Sequence, residues 1–287
     1  MGGLEGLDIA WPPAEPVLEA ARTHDRDRYL SALLAPVPAR HDLVVLGAYL
    51  GEVARIPLIV QDASIGEIRL QWWRDALAAS SEASGNPVAD ALIDLRRRRS
   101  LASDLLLAPL EGFSRALYED GIRDAAELGD YIDETEGAAI RLALAVLDPA
   151  KTGDAERLVA PAARALGLTR LALTLPQQLA HGRLPLPADT LGKPCDPRGL
   201  VPQEAREATR ELLAWLSSEA TAALGEFRAG QSGLKPGHFA AFLPVCLVQP
   251  YLRSIVATGR DVLTDVADIS PLSRIARLWF AHWRGRI

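Results

Sequence analysis

Four arginines stand where a helix would set them among apolar or small neighbours. Arg69 lies in the segment Ser64 to Leu77, among Ile65, Ile68, Trp72, Trp73 and Leu77. At about 100° per residue, these side chains spread over one broad apolar arc, and Arg69 falls inside it beside Trp73. Arg141 is the only charge between Gly137 and Leu147, and Arg170 the only one between Ala165 and Ala180. Arg55 has one companion, Glu52, at the i,i+3 spacing that pairs side chains on a helix face. A guanidinium taken out of water needs a carboxylate or an anionic ligand. Its planar fork suits either a carboxylate or a phosphate. Glu52, Asp133, Glu134 and Glu136 are the acids within sequence reach. Two readings stay open: internal salt bridges across a bundle, or a cavity whose surplus positive charge takes an anionic head group.

Other chemistry is thinly represented. There is no G-x-G-x-x-G, no P-loop, no H-E-x-x-H and no nucleophile elbow. The histidines at 24, 41, 181, 238 and 282 are scattered and read as surface or capping residues. Asp25-Arg26-Asp27 reads as an exposed, solvated helical turn. D-x-x-x-D occurs at Asp120 with Asp124 and at Asp261 with Asp265, a spacing that chance supplies in an Asp-rich chain. Asp130, Asp133 and Glu134 share a helix face that reads as solvated.

The elements that must position these residues are helical. Val17 to Ala35, Asp42 to Ile59 and Ser64 to Leu77 each carry a helical pattern. Ser64 with Glu67 has the spacing of a capping box. Asn86-Pro87 starts another helix that ends near Arg96 to Arg99. Ser103 to Glu119, Asp124 to Leu147 and Ala155 to Ala180 follow, the last with Pro161 and Pro176 as breaks or kinks. His181 to Pro202 is a structured loop rich in Gly and Pro. Helices resume over Gln203 to Phe227, His238 to Ala257 and Pro271 to the end. No strand alternation, repeat or low-complexity segment appears. The expectation is an all-α protein in a single domain, 1–287, with an irregular start over 1–16.

With 49% apolar residues and 24% charged, the chain has the balance of an ordered globular protein. A net charge of −6 argues against nucleic-acid binding. Two cysteines, Cys195 and Cys246, make neither a disulfide framework nor a metal cluster. The first residues carry no basic, apolar leader, and no stretch reaches the ~20 apolar residues of a membrane span. A cytoplasmic location follows as an expectation. The segment 271–287 has Arg274, Arg277, Arg284 and Arg286 with Trp279, Phe280 and Trp283, and no acid. That composition fits a basic amphipathic helix at a membrane surface or partner, with Arg274, Arg277, Trp279, Trp283 and Arg284 as the contacting residues. It equally fits a last bundle helix with its arginines on the wet side.

Several segments resemble the squalene/phytoene synthase family, over roughly Asp25 to Pro187 and more loosely beyond. Arg28-Tyr29-Leu30 with Leu33-Leu34-Ala35-Pro36 and Arg40 resembles the family's first helix and the arginine after it. The tryptophan-bearing segment resembles its W-R-x-x-L stretch. Gly167-Leu168-Thr169, leading to Gly182-Arg183-Leu184-Pro185-Leu186-Pro187, resembles its L-T-N-I-L-R-D … G-R-x-Y-L-P stretch. The resemblance implies the all-α isoprenoid-synthase bundle around a central cavity. In active members it implies head-to-head condensation of two prenyl diphosphates, with Mg²⁺ held by two aspartate motifs.

Those motifs have lost their acids here. D-D-x-x-D falls on Ala54-Arg55-Ile56-Pro57-Leu58, and D-V-x-E-D on Thr174-Leu175-Pro176-Gln177-Gln178. Gly-Glu-Val-Ala-Arg-Ile-Pro followed by Ile-Gly-Glu-Ile-Arg-Leu-Gln-Trp-Trp-Arg resembles a divergent branch of the family. That branch includes a mitochondrial respiratory complex I assembly factor. The resemblance therefore implies a protein without catalysis, metal or cofactor, whose partners are complex I subunits or assembly intermediates at the inner face of a membrane. Glu52, Arg55, Arg69, Trp73, Arg141, Arg170, Gln177 and Gln178 are expected around the former active-site cavity. Two alternatives stay open: a Mg²⁺-dependent prenyl transferase, and a protein that binds a prenyl diphosphate or another anionic lipid without turnover.

Overall fold

The computed structural model describes residues 12–79, 84–118, 121–148, 153–257 and 259–287. Its helices are α1 (Glu15–His24), α2 (Arg26–Leu33), α3 (Val37–Ala54), α4 (Ile56–Ile59), α5 (Ala63–Ala78), α6 (Pro87–Arg99), α7 (Ser103–Arg115) and α8 (Ala125–Ile132). A π-helical turn (Asp133–Gly137) joins α8 to α9 (Ala138–Leu147). Then come α10 (Gly153–Glu156), α11 (Val159–Ala180), α12 (Pro202–Gly230), α13 (Phe239–Phe242), α14 (Val248–Ile255) and α15 (Pro271–Arg284). No strand occurs among the described residues. The fold is an all-α bundle, as the sequence implies.

A helix with a long uncharged stretch, from Leu43 to Gly51, sits at the centre. α3 buries Val44, Val45, Ala48, Tyr49 and Val53 completely and packs against α1, α2, α6, α7 and α9. A Cβ on Gly51 would stand 2.8 Å from the Cβ of His24, so the missing side chain is what lets α1 lie against α3. α11 plays the matching part in the second half, flanked by α8, the π-helical turn, α12 and α14. Pro161 falls in its first turn and Pro176 inside it, and neither breaks it.

Three expected helices are divided instead. Asp25 interrupts the first: its backbone is non-helical and its side chain accepts the Arg28 N–H at 3.1 Å, so it caps α2 instead of continuing α1. Arg55 separates α3 from α4. Pro244 lies in a 3-10 turn, Leu243–Leu247, that separates α13 from α14. The loop 181–202 is ordered by burial of Leu184, Leu186 and Cys195. Asp120 lies outside the described residues.

α5 corrects the apolar-arc reading. Its cap is Asp62, which accepts the Ser64 N–H at 2.8 Å, so Ser64 is not the capping residue. The buried stripe is Gly66, Leu70, Trp73 and Leu77, because the bare Gly66 admits Leu117 against the helix. Ile65, Ile68, Arg69 and Trp72 face outward on the adjoining side.

The run Arg96 to Arg99 also has a tertiary role. Asp42 on α3 is fully buried and is met by Arg98 at 3.0 Å and Arg99 at 2.6 Å. Burial opposes ionisation, yet His41, Arg98 and Arg99 hold the Asp42 carboxyl down at about 2. An acid with a depressed folded pKa stabilises the fold above its unfolded pKa, near 3.9, and loses that contribution as pH falls through the folded value. We predict that Asp42→Asn costs about 2 to 3 kcal/mol at pH 7 in urea unfolding. The gap to wild type should close between about pH 4 and pH 2.

Candidate functional site

A cavity of about 290 Å³ lies where the broken helices meet. The α1–α2 junction lends His24, Asp25 and Asp27, and the α3–α4 junction Ala54, Arg55 and Leu58. Tyr131, Thr135 and Glu136 come from α8 and the π-helical turn. α11 contributes Arg170, Thr174 and Gln178, and Tyr251 and Arg274 complete the polar set. Leu166, Leu171, Leu173, Phe113 and Val248 make the remainder apolar.

Two acids and two arginines form a closed ring in its wall. Arg28 bonds Asp25 through Nη1 and Glu136 through Nη2, the latter at 2.6 Å. Arg170 reaches the same two acids, Asp25 at 3.1 Å and Glu136 at 2.8 Å. The Asp25 and Glu136 side chains are only 2% and 5% exposed, so neither could stay charged there alone. The π-helical turn makes this possible. Its extra residue lets Asp133 and Glu134 turn outward to Arg141 and Arg115, while Thr135 and Glu136 point in. Burial opposes ionisation of Asp25, but Arg170 and Arg28 hold its carboxyl below the usual range. Arg170 is shifted upward against burial by Asp25 and Glu136. The ring is internally neutral.

A second network adjoins it. Tyr251 donates to Asp27 at 2.8 Å and accepts from Arg274 at 2.9 Å. Arg274 also bonds Asp268 at 2.6 Å, and its Nε approaches Asp27 Oδ1 to 2.8 Å without hydrogen-bond alignment. Burial pushes the Asp27 carboxyl up, the Asp25 carboxylate adds to this, and Tyr251 and Arg274 offset only part of it. Nearby, Arg55 donates to His24 Nε2 at 3.1 Å, and Glu52 lies 3.3 Å from that nitrogen and 3.7 Å from Arg55. Burial and Arg55 keep the His24 pKa low, which leaves Nε2 free to accept.

Of the residues expected at the cavity, Arg55, Arg170 and Gln178 line it, and Glu52 stands behind Arg55. Arg69 and Gln177 are exposed. Trp73 is buried elsewhere, edge-on to Tyr49 at 5.2 Å. Arg141 pairs with Asp133 at 2.9 Å and Glu156 at 2.7 Å, outside the cavity. Asp25 is buried and Asp27 half-buried rather than solvated, and with Glu136 they offset part of the positive charge that Arg26, Arg55, Arg170 and Arg274 bring to the lining. Asp25, Asp27, Tyr251 and Arg274 are cavity residues that sequence reasoning missed, as is Arg28, which stands behind Asp25 and Glu136. The available signal was the i,i+3 spacing of Asp25 and Arg28, an N-cap pattern inside an apparently continuous helix.

A model of the squalene/phytoene synthase family matches residues 21–274. The chain belongs to the squalene/phytoene synthase family. Within it, the chain is 25% identical over 280 residues to the rat protein named NADH dehydrogenase (ubiquinone) complex I, assembly factor 6, covering 94% of this chain and 81% of that one. The human protein of the same name is 23% identical over 260 residues, covering 88% and 77%. The crystal structure of squalene synthase HpnC from Alicyclobacillus acidocaldarius superposes with a TM-score of 0.57 at 18% identity, covering 94% of this chain and 92% of that one.

The family's metal does not fit these residues. Mg²⁺ asks for an octahedron of oxygens anchored by carboxylates. The motif positions that line the cavity are Ala54, Arg55, Pro57, Leu58, Thr174 and Gln178. Among the described residues no group of three or more His, Cys, Asp or Glu side chains could hold a metal ion. The cavity's own acids are occupied by arginines. Gln178 Oε1 is buried with no hydrogen-bond partner, a single neutral acceptor that suits a hydroxyl better than a cation. The family's G-R-x-Y-L-P stretch has a different role. Buried Arg183 donates to the carbonyls of Pro57, Val60 and Gln61 at 2.6, 2.9 and 2.9 Å, pinning the loop after the first motif.

The ring predicts strong coupling. Glu136→Gln and Arg170→Gln should each cost about 3 kcal/mol or more, because each strands a buried charge. The double variant should cost clearly less than the sum. Additive losses in urea titrations would show four independent residues instead of one ring.

Proposed function

We propose that this protein is a non-catalytic member of its family that serves the assembly of respiratory complex I. The observation that carries the reading is the fate of the diphosphate-binding wall. Where a synthase needs carboxylates for Mg²⁺, the cavity presents Ala54, Arg55, Leu58, Thr174 and Gln178, and its Arg170 and Arg274 are spent on Asp25, Glu136 and Asp27. Ionising an allylic diphosphate requires stabilising the departing pyrophosphate. No carboxylate set for a metal is arranged here to do so, and Arg170 and Arg274 are already held by acids, which leaves Arg26 and Arg55 as the remaining cations of the wall. Similarity to the mammalian assembly factors over most of the chain supports the direction in which function has moved.

A scaffold of this kind works at the membrane where its client is built. No helix among the described residues is long and apolar enough to cross a membrane. α15 supplies a different kind of contact. Leu272, Ile275, Trp279, Phe280 and Trp283 are all exposed, from 48% to 81%, on the face opposite Leu278 and Ala281. Arg274 has no part in it, since it is buried with Asp27 and Tyr251. We read α15 as the surface by which the protein lies on the inner face of the membrane.

A second reading, a binder of an uncharged prenyl lipid, is favoured by the largely apolar cavity and the orphaned Gln178 oxygen.

Deletion of the gene tests the main reading. Membranes of the deletion strain should lose NADH:ubiquinone oxidoreductase activity and accumulate partial complexes on native gels, with squalene- and phytoene-derived lipids unchanged. Intact complex I with altered isoprenoids would overturn it.

A further inference from the structure

Beside the outward apolar face of α15 lies an open pocket of about 360 Å³ lined by Arg228, Arg277, Arg284 and Arg286, with Phe280 and Cys246 between them. The four arginines come from three places. Arg277 and Arg284 are two turns apart on α15. Arg228 sits at the end of α12, and Arg286 follows the last turn of α15.

The tail is built into this position. Gly285 takes the left-handed conformation, with φ of 60°, and the Arg286 N–H returns to the Ala281 carbonyl at 3.2 Å. The buried Gln231 side chain then grips the main chain of Ile287 from both sides. It donates to Ile287 O at 2.9 Å and accepts the Ile287 N–H at 2.8 Å. This clamp brings Arg286 to the end of α12, where Arg228 waits.

None of the four arginines has a carboxylate partner within ion-pair distance among the described residues. Arg228 reaches only the Gln249 amide at 3.4 Å, Arg277 only the Ser273 hydroxyl at 3.1 Å, and Arg284 lies over the Phe280 ring at 5.1 Å. This contrasts with the central cavity, where every arginine of the ring is met by acids. Four unmatched cations around one pocket favour a phosphate, which accepts bidentate guanidinium bonds. Phe280 belongs both to the pocket and to the outward apolar face. A ligand there is therefore offered charge on one side and an apolar surface with stacked Trp279 and Trp283 on the other. That combination matches the phosphate and upper acyl chains of an anionic glycerophospholipid.

We propose that this four-arginine pocket binds the phosphate of an anionic phospholipid while α15 rests on the bilayer. The proposal rests on the membrane reading of α15, and it adds a headgroup site that α15 alone could not make.

Partition of the purified full-length protein onto vesicles tests it. Phosphatidylcholine vesicles with and without phosphatidylglycerol are the probes. Wild type should favour the anionic vesicles. Arg228→Gln should weaken that binding about fivefold, the effect of one arginine at a lipid surface, although Arg228 is not on α15. The triple change Arg277→Gln, Arg284→Gln, Arg286→Gln should abolish the preference. A charge-matched control at exposed Arg69, Arg210 and Arg253 should lose far less. Wild-type binding by Arg228→Gln, or equal losses in the two triple variants, would mean diffuse charge and overturn the site. Displacement of bound protein by millimolar glycerol phosphate would reassign it to a soluble phosphate. Trp279→Ala with Trp283→Ala should lose binding to both vesicle types while keeping the wild-type circular dichroism. If that variant binds as wild type, the membrane reading of α15 fails with the site. These measurements contain no complex I, so their failure beside a complex I defect in the deletion strain would leave the assembly role standing.

Discussion

Two carboxylates and two guanidiniums closed on one another decide what the central cavity is. Asp25, Arg28, Glu136 and Arg170 come from α2 and its cap, the π-helical turn and α11, elements far apart in sequence. Each acid meets both arginines. Burying four charges is tolerable only because they cancel within hydrogen-bonding distance, and the loss of any one leaves a charge stranded in low dielectric. The ring thus ties both halves of the bundle together. It also commits Asp25, Glu136 and Arg170 of the cavity lining to one another.

The rest of the cavity follows from this. With the ring satisfied, what remains to meet a ligand is apolar surface, the neutral acceptor of Gln178, and Arg26 and Arg55. Arg183 holds the loop at the first motif by its backbone carbonyls. That loop keeps its family position although its motif side chains have changed. The contacts that position the motif segments are separate from the side chains at the motif positions. A further concentration of positive charge lies at the outer surface, around Arg228 and the end of α15.

Much of the fold was legible in the sequence. α3 announces itself as central by its lack of charge, and α6 by Asn86-Pro87, whose side chain caps the helix as expected. Of the site, Arg55, Arg170 and Gln178 were legible through their place in the degraded motifs. What escaped was set by contacts distant in sequence. Asp25 looks solvated until the chain is seen to break there and turn it inward. Asp42 is neutralised by arginines some fifty-six residues away, which no local pattern connects to it. Arg69 failed for a subtler reason. Ile65, Ile68 and Trp72 widen the apolar arc of α5 past Arg69, but the bare Gly66 lets Leu117 approach the other side, and packing followed the glycine. The π-helical turn shifts register between Glu134 and Glu136, so periodicity alone could not say which acid faces in.

The central claim is that the cavity wall no longer supports departure of pyrophosphate. Incubating the purified protein with farnesyl diphosphate, with and without Mg²⁺, and measuring released pyrophosphate tests it directly. The ring and the missing carboxylates predict no release above the protein-free control, and no dependence on Mg²⁺. Mg²⁺-dependent release accompanied by a C30 product would contradict the account.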